Sequence, residues 1–145
     1  MEEPLRNVSR LLTAAAFAAA ATALLIAPAS AAASVTSDCS SPGAYGSATW
    51  TWGGKNSLRD LRLTAVDTAD DSRIAGVRLY TLDAKGNSRY WQWRLNSNGS
   101  GSSQSWNTSL DDARGITRVG VEAAAFTDGG YQRLCGSGSL ANPYR

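Results

Sequence analysis

Short apolar and β-branched runs alternate along the chain with clusters of Gly, Asn, Asp and Ser, and helical spacing is hard to find beyond residue 38. Residues 45–52 make the first run, with Ala48, Trp50 and Trp52 on one face because strand side chains alternate. Gly53-Gly54-Lys55-Asn56 turns the chain into residues 58–66, where Leu61, Leu63 and Ala65 oppose Asp60, Arg62 and Thr64. That alternation marks a half-buried strand. A polar connection at 67–72 leads to a strand over 75–82, with Val77 and Leu79 inward. In Asp83-Ala84-Lys85-Gly86-Asn87 the aspartate opens a turn and Gly86 takes the left-handed conformation that closes a hairpin. The return strand, 89–95, is expected to set Trp91, Trp93 and Leu95 on one face and Tyr90, Gln92 and Arg94 on the other.

Residues 96–103 are Asn, Ser and Gly only, the composition of an exposed, mobile loop. A strand over 104–110 follows, then a turn at 111–115 and a run over 116–127 with Val119, Val121, Ala123 and Ala125 on one side. Its alanines suit a helix as well, but the valines, Gly120 and the flanking threonines favour a strand. Asp128-Gly129-Gly130 signals a hairpin, residues 131–135 return, and the tail from 136 reads as loosely held. About seven short strands with regular turns predict an all-β fold, a small antiparallel β-sandwich, with a small closed barrel as the alternative.

The first part of the chain reads differently. No charged side chain occurs from Leu11 to Ser37, and the nearly pure Ala, Leu, Thr and Phe stretch over 11–26 ends at Pro28 and a run of small residues. That is the layout of a secretory signal peptide, with Ala29-Ser30-Ala31 and Ala31-Ala32-Ala33 as cleavage motifs. Cleavage after Ala33 is the preferred reading: a signal peptide at 1–33 and one secreted domain at 34–145. An uncleaved anchor is the rival, weakened by alanine's small transfer energy and by Pro28 inside the span. Glu2 and Glu3 cancel Arg6 and Arg10, whereas export signals begin positive, which suggests translation from Val8 instead. The exported domain has a size that supports its own core, and it keeps no membrane segment. Cys39 and Cys135, near its two ends, are expected to form a disulfide in an oxidising compartment.

The chain carries a formal net charge of +2. Basic residues alternate with acids, as in Arg59-Asp60-Leu61-Arg62, so the concentrated basic face that nucleic acid requires is missing. Histidine is absent from the sequence, which removes imidazole-based triads and imidazole metal ligands, and oxidised cysteines offer no thiolate. Gly53-Gly54-Lys55-Asn56 lacks the spacing of a phosphate-cradling loop, and no cofactor is expected. Carboxylates remain. Asp67, Asp70 and Asp71 share one connection, and Asp111 and Asp112 another; turn-capping is their ordinary use. A glycosidase pair would have to bring two carboxyls across a cleft. A calcium site at Asp67, Asp70 and Asp71 is the weak metal candidate, without the twelve-residue loop pattern.

The tryptophans carry the most information. Trp50 with Trp52, and Trp91 with Trp93, are Trp-x-Trp pairs that a strand would hold on one face. Core packing is their ordinary role. The sharper reading is a sugar-stacking platform, with Trp106 as a further ring and Gln92, Arg94 and Asn107 bonding hydroxyls.

The leader, the segment Leu61-Arg62-Leu63-Thr64-Ala65-Val66-Asp67-Thr68-Ala69-Asp70-Asp71 and the segment Tyr90-Trp91-Gln92-Trp93-Arg94-Leu95 together resemble small secreted actinobacterial proteins without assigned function. Those run into Val-x-Asp-Thr-x-Ala-Asp-Gly, whereas Asp71 stands here in the place of the glycine. The twelve arginines and two lysines suit a GC-rich genome. The resemblance implies an extracellular β-sandwich and transfers no catalytic residue. The first functional expectation is therefore a secreted, non-enzymatic module, most concretely a carbohydrate binder. A protein-binding inhibitor or antimicrobial factor using the loop at 96–103 is the second, and an aspartate-dependent hydrolase the third.

Overall fold

The computed structural model describes residues 31–145. The apolar leader, Pro28, the Val8 start and all but the last residue of Ala29-Ser30-Ala31 lie outside the described residues. Ala31, Ala32 and Ala33 are irregular and exposed.

Two antiparallel sheets stack face to face. The first has the order β1-β2-β3-β7, made of β1 (Ser34–Ser41), β2 (Ala44–Gly54), β3 (Ser57–Asp67) and β7 (Ser103–Asp111). The second is built on β4 (Ile74–Leu82) and β8 (Arg118–Thr127), which pair along their length. Each of its edges is an interrupted strand. On one side β5 (Ser88–Tyr90) and β6 (Arg94–Asn96) both pair with β4; on the other β9 (Gly130–Gly136) and β10 (Leu140–Ala141) both pair with β8. The fold is a sandwich, not a barrel.

Alternation decides the core. Trp50 and Trp52 point inward from β2; Leu58, Leu61 and Leu63 from β3; Val77 and Leu79 from β4; Val119 and Val121 from β8. The extra residue that lets both Leu58 and Leu61 face inward is a bulge at Asp60, whose φ of 50° lies in the left-handed region. Trp50 is 0% exposed and meets Trp52 edge-on at 5.6 Å, although its indole N–H has no hydrogen-bond partner among the described residues. Burial of the large ring outweighs that unpaired donor. The sheets approach closely at Gly46, where a Cβ would lie 2.7 Å from the Ala123 methyl.

Several expectations need correction. β1, Ser-rich and weakly apolar, was not expected as a strand; it pairs with β2 from Ser34↔Thr51 to Ser41↔Ala44. The return strand at 89–95 is broken. Tyr80 opposes Tyr90, but Val77 opposes Arg94, so three residues, Trp91 to Trp93, face the two residues Arg78 and Leu79. The residue in excess is Gln92. Each residue beyond it is turned to the opposite face, because the side-chain period is two. The loop at 96–103 is exposed over 97–101 as expected, but its base is braced: buried Asn96 donates from Nδ2 to the carbonyls of Ala65 and Ser102 and accepts at Oδ1 from the Asn98 N–H. The tail is anchored as well. Asn142, fully buried, donates from Nδ2 to the Gly54 and Ile116 carbonyls and from its backbone to Thr117.

The Cys39–Cys135 disulfide links β1 to β9, so the edges that flank one side of the sandwich are tied, with Cα atoms 5.9 Å apart. On the opposite side lie β7 and the bulged pair β5 and β6, with no covalent link.

Candidate functional site

The bulge at Gln92 separates the second Trp-x-Trp pair. Trp91 stays in register with Leu79, turns inward against the core, and donates its indole N–H to the Thr81 hydroxyl at 3.1 Å. Trp93 falls opposite Arg78 and turns outward. There it meets Phe126 edge-on at 4.9 Å and Tyr131 at 5.5 Å. Tyr90, expected on the other face from Trp93, joins it instead.

A cluster of rings therefore covers the outer face of the second sheet, running from Tyr90 across Trp93 and Phe126 to Tyr131. The β8–β9 hairpin sets Phe126 directly opposite Tyr131. Tyr90 is 54% and Tyr131 47% exposed. In strands the wide rings need bare backbone beside them, and glycines supply it. Tyr80 lies flat over Gly120 across the β4–β8 ladder, and Phe126 lies over Gly76. The Tyr80 hydroxyl donates to the Ser137 carbonyl at 2.7 Å. Burial, followed by the neighbouring Glu122 carboxylate, raises the pKa of this phenol, so it keeps that proton.

Arg78 sits at the centre of the cluster. Its guanidinium carbon lies 4.5 Å from the ring centres of both Tyr90 and Trp93 and 5.8 Å from that of Tyr131. Such cation–π contacts each contribute about 0.5–2 kcal/mol. Nε donates to Glu122 at 2.6 Å. Among the described residues, Nη1 and Nη2 of Arg78 make no hydrogen bond and Glu122 accepts only at Oε2. Donors and an acceptor thus remain unused inside an aromatic patch.

The residues singled out from sequence are sorted into four places. Trp50 and Trp52 are core, and Trp106 is partly buried beside them, opposite Leu63. Trp93 alone joins the outer aromatic face. Trp91, Gln92 and Arg94 border a cleft between the open edges of the sheets. Asn107 stands on the outer face of the first sheet, paired with Arg62. The eight do not form one platform.

The aspartates hold turns. Asp67 accepts the Ala69 N–H; Asp71 accepts the Arg73 N–H and pairs with its guanidinium. The left-handed residue of that connection is Ser72, with φ of 59°, not Asp71. Asp111 takes both ends of the Arg59 guanidinium, and buried Asp112 is held by Arg114 and Arg89. Among the described residues no cluster of three or more His, Cys, Asp or Glu side chains converges as a metal site, so Asp67, Asp70 and Asp71 are not brought together.

Arg78, Glu122, Phe126 and Tyr131 were missed in the sequence. Gly76 and Gly120 were the available signals, since a glycine inside a strand marks close approach by another group. Comparison with known proteins finds no matching family model and no matching curated protein. Among the described residues no helix is long and apolar enough to cross a membrane.

Proposed function

We propose that the mature chain is a secreted, non-enzymatic binding module that holds a glycan on the outer aromatic face of its second sheet. The observation that carries this reading is the cluster of exposed Tyr90 and Tyr131 with half-buried Trp93 between them, around an Arg78–Glu122 pair with unused hydrogen-bonding groups. Rings stack on the apolar faces of pyranoses, while a guanidinium and a carboxylate are suited to neighbouring hydroxyls. Contiguous exposed apolar surface of this kind marks interaction sites in soluble proteins. The leader at 1–33 and the disulfide favour work outside the cell. The absence of histidine and the use of the aspartates in turns favour binding over catalysis.

Binding to a panel of soluble and insoluble polysaccharides, followed by tryptophan emission and by depletion from solution, tests the reading. Trp93→Ala and Tyr131→Ala are each expected to weaken binding about tenfold, a loss of ~1.4 kcal/mol, whereas Asn107→Ala leaves it unchanged. Indifference to the whole panel, or wild-type affinity in both ring variants, rejects it.

The second reading, a protein-binding inhibitor, gains support from the bracing of the 96–103 loop by Asn96, because an ordered loop loses less entropy on binding. Stoichiometric inhibition of a secreted protease that disappears in Asn96→Ala would favour it.

A further inference from the structure

The flank of the sandwich opposite the disulfide carries a cleft of its own. Between β7 and the broken β5–β6 edge lies a cleft of about 230 Å³ whose floor is Leu61, Leu63, Leu79 and Leu110, all buried core residues. Trp91 forms a wall, and Arg94 stands at the rim. The cleft follows from the bulge. Gln92 shifts the register so that Arg94 falls opposite Val77, on the inward face, where an unbroken strand would have placed Leu95 or Trp93.

The charges at this cleft are unequal. Asp111, also at the rim, is occupied by Arg59 at 2.8 and 3.1 Å. The Arg94 side chain has no ion-pair or hydrogen-bond partner among the described residues. A half-buried arginine lining the same cleft as four buried leucines, with the nearby carboxylate already engaged, selects a ligand that is apolar at one end and anionic at the other. The volume lies below the roughly 300 Å³ at which drug-sized pockets begin, so an oligosaccharide is too large for it.

We infer that this cleft binds a small amphipathic carboxylate, a medium-length alkyl or aromatic acid, with its body on the leucine floor and its carboxylate on Arg94. The site is separate from the outer aromatic face and does not depend on the glycan reading. Calorimetric titration of the purified protein with octanoate, and with 1-octanol as the uncharged counterpart, tests it. Saturable octanoate binding is expected. Arg94→Gln should weaken octanoate about tenfold, the range of a charge-assisted hydrogen bond, while leaving 1-octanol unchanged. Thr108→Trp, at an exposed position on the cleft lining, should block both ligands without disturbing the core. Trp93→Ala, on the opposite face of the sheet, should bind octanoate as the unaltered protein does. No octanoate binding, equal affinity in Arg94→Gln, or undiminished binding in Thr108→Trp would overturn the assignment.

Discussion

At the scale of single residues, hydrogen bonding to carboxylates decides the turns. Asp83 accepts the Asn87 side-chain amide and the backbone N–H groups of Lys85 and Asn87, and the Asn87 side chain is the main cause of its lowered pKa. The Arg114 guanidinium lowers Asp112 in the same way. A carboxyl with a depressed folded pKa contributes stability above its unfolded value, about 3.9, and that contribution disappears as pH falls through the folded value. The thermal midpoint is therefore expected to drop below about pH 4, and Asp112→Asn should start lower and flatten that acid limb. An acid limb of unchanged steepness in the variant would remove Asp112 from the account. Glycine acts through space as well as through φ. A Cβ at Gly120 would collide with the Tyr80 ring, so Gly120→Ala is expected to destabilise by about 1–3 kcal/mol in urea unfolding, typical of overpacking. A loss near zero would mean that the ring has room to move.

Elements were legible in the sequence wherever side-chain alternation was clean. Val77 and Leu79, Leu61 and Leu63, and Val119 and Val121 all face the core as their spacing requires, and Gly86, with φ of 82°, closes the predicted hairpin. β1 escaped because Ser and Thr dominate it and its partner β2 supplies the apolar face. The break at Trp91-Gln92-Trp93 escaped because no glycine or proline marks it; a bulge is a property of the pairing with β4, and one strand's sequence does not contain it. For the same reason the candidate site was only partly legible: Trp93 was identified, but its neighbours Arg78, Phe126 and Tyr131 reach it from three other strands. The bulge makes a pointed prediction. Deleting Gln92 leaves Trp91 opposite Leu79 and Trp93 opposite Arg78, so stability should change by no more than about 1 kcal/mol, whereas deleting Arg94 forces either Trp93 inward or Asn96 outward and should cost several times more. Equal losses in the two deletions would show that the register is not what holds these residues.

At the scale of the whole molecule, two stacked sheets share one core, and the single covalent tie lies at one margin. Cys39 and Cys135 enclose a loop with a sequence separation of 96. In the chain-entropy model such closure is worth about 4–5 kcal/mol, an upper figure where the reduced chain keeps structure. Cys39→Ser with Cys135→Ser is expected to lose about 2–4 kcal/mol by denaturant titration; an unchanged midpoint would show that the bond constrains nothing. Its placement has a further mechanical meaning. A book bound along its spine opens at the fore-edge, and here β1 and β9 are the binding while β7, β5 and β6 are the loose leaves. Amide deuterium uptake should accordingly be slowest beside the cystine and fastest at that free margin, so that the leucine-floored gap between the pages can widen to admit a solute without the spine moving.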